Sequence, residues 1–234
     1  MLAFARRAGD RDDVNDTEQR QTVASKVLTG YDIARATRGA IAVERIKKLP
    51  PTFTYTQARR LGLTKRELYR LYGEGLFERL GRGLYRRRDV ESADLDLIEI
   101  AMRAPTATLC LTTALARHGL SDAIPASLDI AIPRNARPHP SSAPVTWHRF
   151  DPRTFALGRQ VIELEAHVHI GIYSPERCII DAFRMRSREG SELGREALRR
   201  WVRMRGSKPA SLLKLAKSFP RTEGLLRQTL EILL

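Results

Sequence analysis

The sequence predicts an α+β fold: an N-terminal winged helix-turn-helix followed by a mixed α/β domain with a helical C-terminal end. Three observations carry this. Two helix-start signatures flank a glycine turn in TYTQARRLGLTKRELYR, and a glycine-centred hairpin, LFERLGRGLYRR, comes shortly after them. Further on, VIELEAHVHIGI alternates apolar and polar residues as a half-buried strand does. From Ser191 onward the pattern is helical.

Size and charge bound the reading. A chain of 234 residues builds one or two domains. With 42% hydrophobic and 29% charged residues it reads as globular. A net charge of +14 calls for a polyanionic partner, nucleic acid first and an anionic membrane surface second. No apolar run reaches bilayer length, so no membrane span is expected. The start, MLAFARRAGDRDD, lacks the order of a signal peptide. Cys110 and Cys178 have no neighbouring cysteine with which to form a metal knuckle or redox pair, which fits a reduced, cytoplasmic compartment.

Residues 1–38 mix seven Lys/Arg with six Asp/Glu and read as a poorly ordered extension, with a short helix around Glu18–Leu28. They also fit an over-long start. The first domain, 39–90, opens with a helix through Ile41, Val43, Ile46 and Leu49 that stops at Pro50-Pro51. Thr54-x-x-Gln57 and Thr64-x-x-Glu67 have capping-box form, in which side chains satisfy the orphan N–H groups of a helix start. Gly62 suits the turn between the two helices, because a residue without Cβ takes positive φ at no steric cost. Ala58 permits a close crossing, while Leu68 and Leu71 face inward. Two short strands follow, Leu76–Leu80 and Leu84–Arg87, joined at Gly81-Arg82-Gly83. The expected small core holds Ile46, Leu61, Leu68, Leu71, Leu76 and Leu80.

A charged linker, Arg86–Asp94, leads to a second domain at 94–234. Leu95 to Met102 predict a helix ending before Pro105, and Thr112–His118 another stopped at Gly119. Leu128–Ile132 and Val145–Phe150 predict strands. In VIELEAHVHIGI, Ile162, Leu164, Ala166, Val168, Ile170 and Ile172 share one face of a strand. Ser174-Pro175 then caps a helix with Pro in its first turn.

The basic segment Gln57–Arg88, with ten Lys/Arg against three Glu, coincides with the second helix and the hairpin. Thr64, Lys65, Arg66, Tyr69 and Arg70 lie at the start of that helix or on its outward side. A helix fits the major groove, where Arg binds guanine bidentately. Tyr69 suits a phosphate or a thymine methyl. Arg82 marks the wing tip, suited to the minor groove, with Arg79, Arg86, Arg87 and Arg88 placed for phosphates. The competing readings are a merely solvated face or a protein-interaction module. RNA fits less well, since stacking aromatics are few.

No catalytic signature stands out, and no enzymatic activity, cofactor or metal is expected. His167-x-His169 with Glu163 and Glu165 has ligand types on one strand face, a pattern that exposed strands commonly show. Asp129 with Glu163-x-Glu165 suggests a Mg²⁺ nuclease only loosely, because the lysine is missing. There is no P-loop. Arg177, Asp181 and Arg184 have the spacing of surface ion pairs on a helix. A second basic cluster, Arg184–Lys208, carries nine Lys/Arg against three Glu, with Arg195, Arg199 and Arg203 in a stripe.

The order of TYTQARRLGLTKRELYRLYGEGLFERLGRGLYRR, LTTALARHGL, SLDIAIPRN and YSPERCIIDAFRMR resembles the AbiEi family of antitoxins from type IV toxin–antitoxin pairs, over roughly 40–230. The resemblance implies a bacterial, cytoplasmic protein whose winged helix binds double-stranded operator DNA upstream of its own operon and represses it. Its second domain would counter a nucleotidyltransferase-like toxin, usually without a stable complex. Only the basic positions of the second helix and wing carry over as site residues. The alternatives from other classes are a DNA-targeting enzyme with a nuclease-like second domain and an effector-responsive transcription factor.

Overall fold

The computed structural model describes residues 40–90, 94–189 and 191–234. The extension 1–38, with its expected helix, and linker residues 91–93 lie outside the described residues. The chain divides into two compact units, Met1–Lys48 and Leu49–Leu234. In the first, residues 40–47 form α1, with Ala42 and Ile46 buried. Ile41, expected on the apolar face, is 46% exposed.

The second unit begins with β1 (Thr52–Thr54), α2 (Tyr55–Arg60) and α3 (Lys65–Gly73). Both capping boxes form as the sequence predicts. The Thr54 and Thr64 hydroxyls each accept from the N–H three residues on, at 3.2 Å. Gln57 and Glu67 reach back to accept the cap N–H groups at 2.7 and 2.8 Å. Gly62 turns the chain at φ 79°. The hairpin follows as β2 (Phe77–Gly81) and β3 (Leu84–Arg87). β1 adds to its free edge, giving an antiparallel sheet of order β1-β3-β2. Three residues are too few for a period, so sequence pattern gives β1 no signal.

The core of this region differs from the expected leucine set. Phe53, Phe77 and Tyr85 pack ring against ring, with centroids 5.5–6.0 Å apart, over buried Ala58, Leu63, Leu68 and Leu71. Leu61 is the C-cap of α2 and stays 36% exposed; Leu63, beyond the turn, is the buried leucine. Leu80 packs against the larger core that follows.

That core is built on α4 (Leu95–Arg103), β4 (Thr108–Leu109), α5 (Leu111–Arg117), β5 (Leu128–Pro133), β6 (Val145–Phe150), α6 (Pro152–Phe155), β7 (Arg159–Glu165) and β8 (Val168–Tyr173). The strands order as β6-β5-β4-β8-β7, with β5–β6 and β4–β8 parallel. Helices α7 (Pro175–Arg184), α8 (Arg186–Glu189), α9 (Ser191–Arg203), α10 (Pro209–Ala216) and α11 (Pro220–Leu233) complete the chain. The fold is thus mixed α+β, with a helical C-terminal part.

Two expectations are corrected here. VIELEAHVHIGI is a hairpin, not one strand: it turns at Ala166-His167, with His167 at φ 68° and Glu163 opposite His169. A two-residue turn alone would pair even positions with odd ones; the register shift between Glu163 and Glu165 instead brings Ile162 opposite Ile170, so both arms keep one alternation. Sequence parity cannot tell the two apart. Second, Arg177 and Asp181 are fully buried, not surface partners. Helical spacing specifies the pairing, but α5, α9, α10 and α11 all pack on α7 and cover its polar side. Arg177 donates to Asp181 at 2.8 Å and to the carbonyls of Thr154 and Leu157 at 2.6 Å. Its guanidinium also lies 4.3 Å from the centroid of Tyr173 and 4.7 Å from that of Phe219. Burial pushes Asp181 above the ordinary carboxylate range although Arg177 and Arg184 oppose it.

Residues 49–234 form one unit, and several contacts cross the boundary expected near residue 90. Arg86 of β3 pairs with Glu165 of β7, with both side chains buried. Gly81 lies so close to Arg103 and Glu99 of α4 that a Cβ there would collide with both.

Candidate nucleic-acid interface

The outward side of α3 follows from its inward side. Leu68 and Leu71 are buried, so residues on the opposite arc must face solvent. Lys65, Arg66, Tyr69 and Arg70 are all exposed, Tyr69 by 57%. The ammonium of Lys65 sits 5.9 Å from the Tyr69 ring centroid. Arg70 pairs with Glu74 at 2.8 Å, both partly exposed. Such a pair is worth about 0.3–0.5 kcal/mol, less than the roughly 1–3 kcal/mol of a bidentate base contact, so it does not hold Arg70 back from one. Among the described residues, no hydrogen bond or ion pair engages Arg66. Thr64 is exposed, but its hydroxyl is committed to the capping box with Glu67.

The hairpin residues divide. Arg82 at the tip and Arg88 at the end are exposed. Arg79 is exposed too, with its Nε donating to the Gly81 carbonyl at 3.1 Å. Arg86 is 4% exposed and donates to Thr52 Oγ1 at 2.9 Å and to Glu165, which removes it from the phosphate-facing set. Arg87 is largely covered, chelated by Asp89 at 2.9 and 2.6 Å and donating to the Leu49 carbonyl. In strand β3, successive side chains point to opposite faces, so a run of three arginines cannot all face one ligand. Charge count alone hides this.

The expected site residues on α3 include Tyr69 but not Tyr72, which is 44% exposed one turn further on. Tyr55 also stands beside the hairpin tip, its N–H donating to the Gly83 carbonyl at 2.9 Å. The i, i+3 step from Tyr69 to Tyr72 is a signal the sequence did contain.

The other candidates are not brought together. Asp129 and Glu163 stand on β5 and β7, with β4 and β8 between them. Asp129 is buried against His148 at 2.9 Å. Glu165 answers Arg86, and among the described residues no group of three or more His, Cys, Asp or Glu could hold a metal ion. In the second basic cluster, Arg195 pairs with Glu192, Arg199 with Glu196, and Arg200 with both Asp122 and Glu196. Among the described residues no helix is long and apolar enough to cross a membrane.

Two helices around a glycine turn, followed by a hairpin, thus present exposed cations from one short stretch of chain. Residues 42–88 match the family model described as a transcriptional regulator, AbiEi antitoxin. The match supports an AbiEi family antitoxin and covers the helices and hairpin, not the larger sheet and helices that follow. No curated protein matches the chain.

Proposed function

We propose that this chain is the antitoxin of a type IV toxin–antitoxin pair. On this reading, residues 39–90 act as a winged helix that binds double-stranded operator DNA upstream of the chain's own operon and represses transcription. Residues 94–234 counter a cognate nucleotidyltransferase-like toxin without forming a stable complex, in the cytoplasm. No catalytic role is assigned to any residue.

The observation that carries the reading is the exposure of Arg66 and Arg82, one on the outward arc of α3 and one at the hairpin tip, inside the segment that matches AbiEi regulators. With α3 in the major groove, Arg66 and Arg70 reach base edges and Tyr69 a thymine methyl or a phosphate. Arg82 enters the minor groove or meets its phosphates. Lys65, Arg79 and Arg88 supply further phosphate contacts, and each one neutralised adds about 0.9 to the salt slope of binding.

Gel-shift titration of duplex DNA from upstream of the operon tests the repressor half. Arg66→Ala or Arg70→Ala should weaken binding by about 1–3 kcal/mol and relax preference at particular positions. A uniform loss over all sequences would place the reading surface elsewhere. Co-expression with the adjacent gene, scored by growth, tests the antitoxin half; no protection there removes it.

A further inference from the structure

The side of α3 that turns toward the hairpin carries phenols rather than guanidiniums. At 3.6 residues per turn, Lys65, Tyr69 and Tyr72 fall within roughly 60° of one another, while Arg66 and Arg70 occupy the neighbouring strip. At the hairpin stand Tyr55, tied by its backbone N–H to the Gly83 carbonyl, and Arg79, the cross-strand partner of Tyr85. Burial first, then the nearby phenol of Tyr69, pushes the Tyr85 hydroxyl up. Arg79 opposes this, and Tyr55 and Tyr72 add to it. Tyr55, Tyr69 and Tyr72 therefore each lie within electrostatic reach of Tyr85. Their ring faces are not all on offer: Lys65 covers that of Tyr69, and Tyr85 stacks on Phe53 at 5.8 Å. What the strip offers is hydroxyls, each able to donate one hydrogen bond.

We propose that this strip is a phosphate track, in which the hydroxyls of Tyr55, Tyr69 and Tyr72, flanked by Lys65 and Arg79, hold the sugar–phosphate strand passing between the recognition helix and the hairpin. The inference rests on the DNA-binding reading above and adds a ligand class to residues outside its cationic set. Phosphate contacts come from tyrosines as well as from cations, and they fix register without reading sequence. A neutral donor differs from a cation in one measurable way. It adds affinity but releases no counterion, so it leaves the salt slope unchanged.

The test uses the full chain and duplex DNA from upstream of the operon, titrated by fluorescence anisotropy at several salt concentrations. Tyr55→Phe and Tyr72→Phe keep the ring and remove only the hydroxyl. Each should weaken binding roughly fivefold, and the double variant roughly 25-fold, at unchanged salt slope. A double variant within twofold of wild type overturns the track, as does a flattened slope. If Tyr→Phe is silent while Tyr72→Ala abolishes binding and single strands compete best, the surface stacks bases and the track is wrong. Arg66→Ala separates the two readings. If it weakens binding and the double Tyr→Phe variant does not, only the track fails; if the wild-type chain shows no specific binding, the repressor reading fails and takes the track with it.

Discussion

Gln57–Arg88 and Arg184–Lys208 are nearly equal in charge, with ten Lys/Arg against three Glu in one and nine against three in the other. The fold pairs them differently. On α3 and the hairpin, Lys65, Arg66, Arg79, Arg82 and Arg88 are exposed, and Arg70 pairs with Glu74 at the end of α3. In the second region, Arg184 closes on the buried Asp181, and Arg195, Arg199 and Arg200 each meet a glutamate three or four residues away. Helical spacing between opposite charges pairs four of the nine cations in the second cluster with acids. A charge left without an acid at that spacing is available to a partner. Counting basic residues cannot separate the two cases, whereas counting their acid neighbours along the helix comes close.

The comparison breaks first at its most buried pair. Asp181→Asn leaves the enclosed Arg177 without its counter-charge, and truncating one side of a buried ion pair costs about 3–5 kcal/mol. Urea unfolding should show that loss. A change under about 1 kcal/mol would mean that the carbonyls of Thr154 and Leu157 and the surrounding rings satisfy Arg177 by themselves.

Next is Arg86, an arginine of the first region that behaves like those of the second. Arg86→Met should destabilise the chain by about 3 kcal/mol by leaving Glu165 buried opposite it. Once folded, the variant should keep the wild-type salt slope on DNA, and a flatter slope would return Arg86 to the phosphate-facing set. The same contact bears on truncation: removing residues before 94 strips Glu165 of its partner, so a 94–234 fragment should be less stable than the chain it came from. Arg82→Ala sharpens the comparison from the other side, reducing the salt slope by about one contact while the unfolding midpoint stays put.

The smallest effect belongs to Arg200. Its hydrogen bonds hold Asp122 and Glu196 below the ordinary carboxylate range, with both acids at the surface. A depressed folded-state pKa stabilises above the unfolded value and ceases to do so as pH falls through the folded one. Wild type should therefore lose slightly more stability than Arg200→Ala on acidification below about pH 4, an effect muted by salt. Superimposable pH profiles of Tm would show that these exposed pairs contribute nothing.

Local chemistry was readable from the chain itself. Thr54/Gln57 and Thr64/Glu67 specify two helix starts, Gly62 the turn and Gly81-Arg82-Gly83 the hairpin, because capping and left-handed turns involve residues three or four apart. The exposed strip of Lys65, Arg66, Tyr69 and Arg70 follows from helical period once Leu68 and Leu71 are placed inside. What lay beyond reach was everything set by neighbours distant in sequence. The folding back of β7 on β8 preserves the alternation of a single strand. The enclosure of Arg177 and Asp181 depends on helices from elsewhere in the chain closing over α7. The removal of Arg86 from the surface depends on Glu165, 79 residues away. Burial of a charge is decided by what packs over it, and a sequence period reports only which side of its own element a residue occupies.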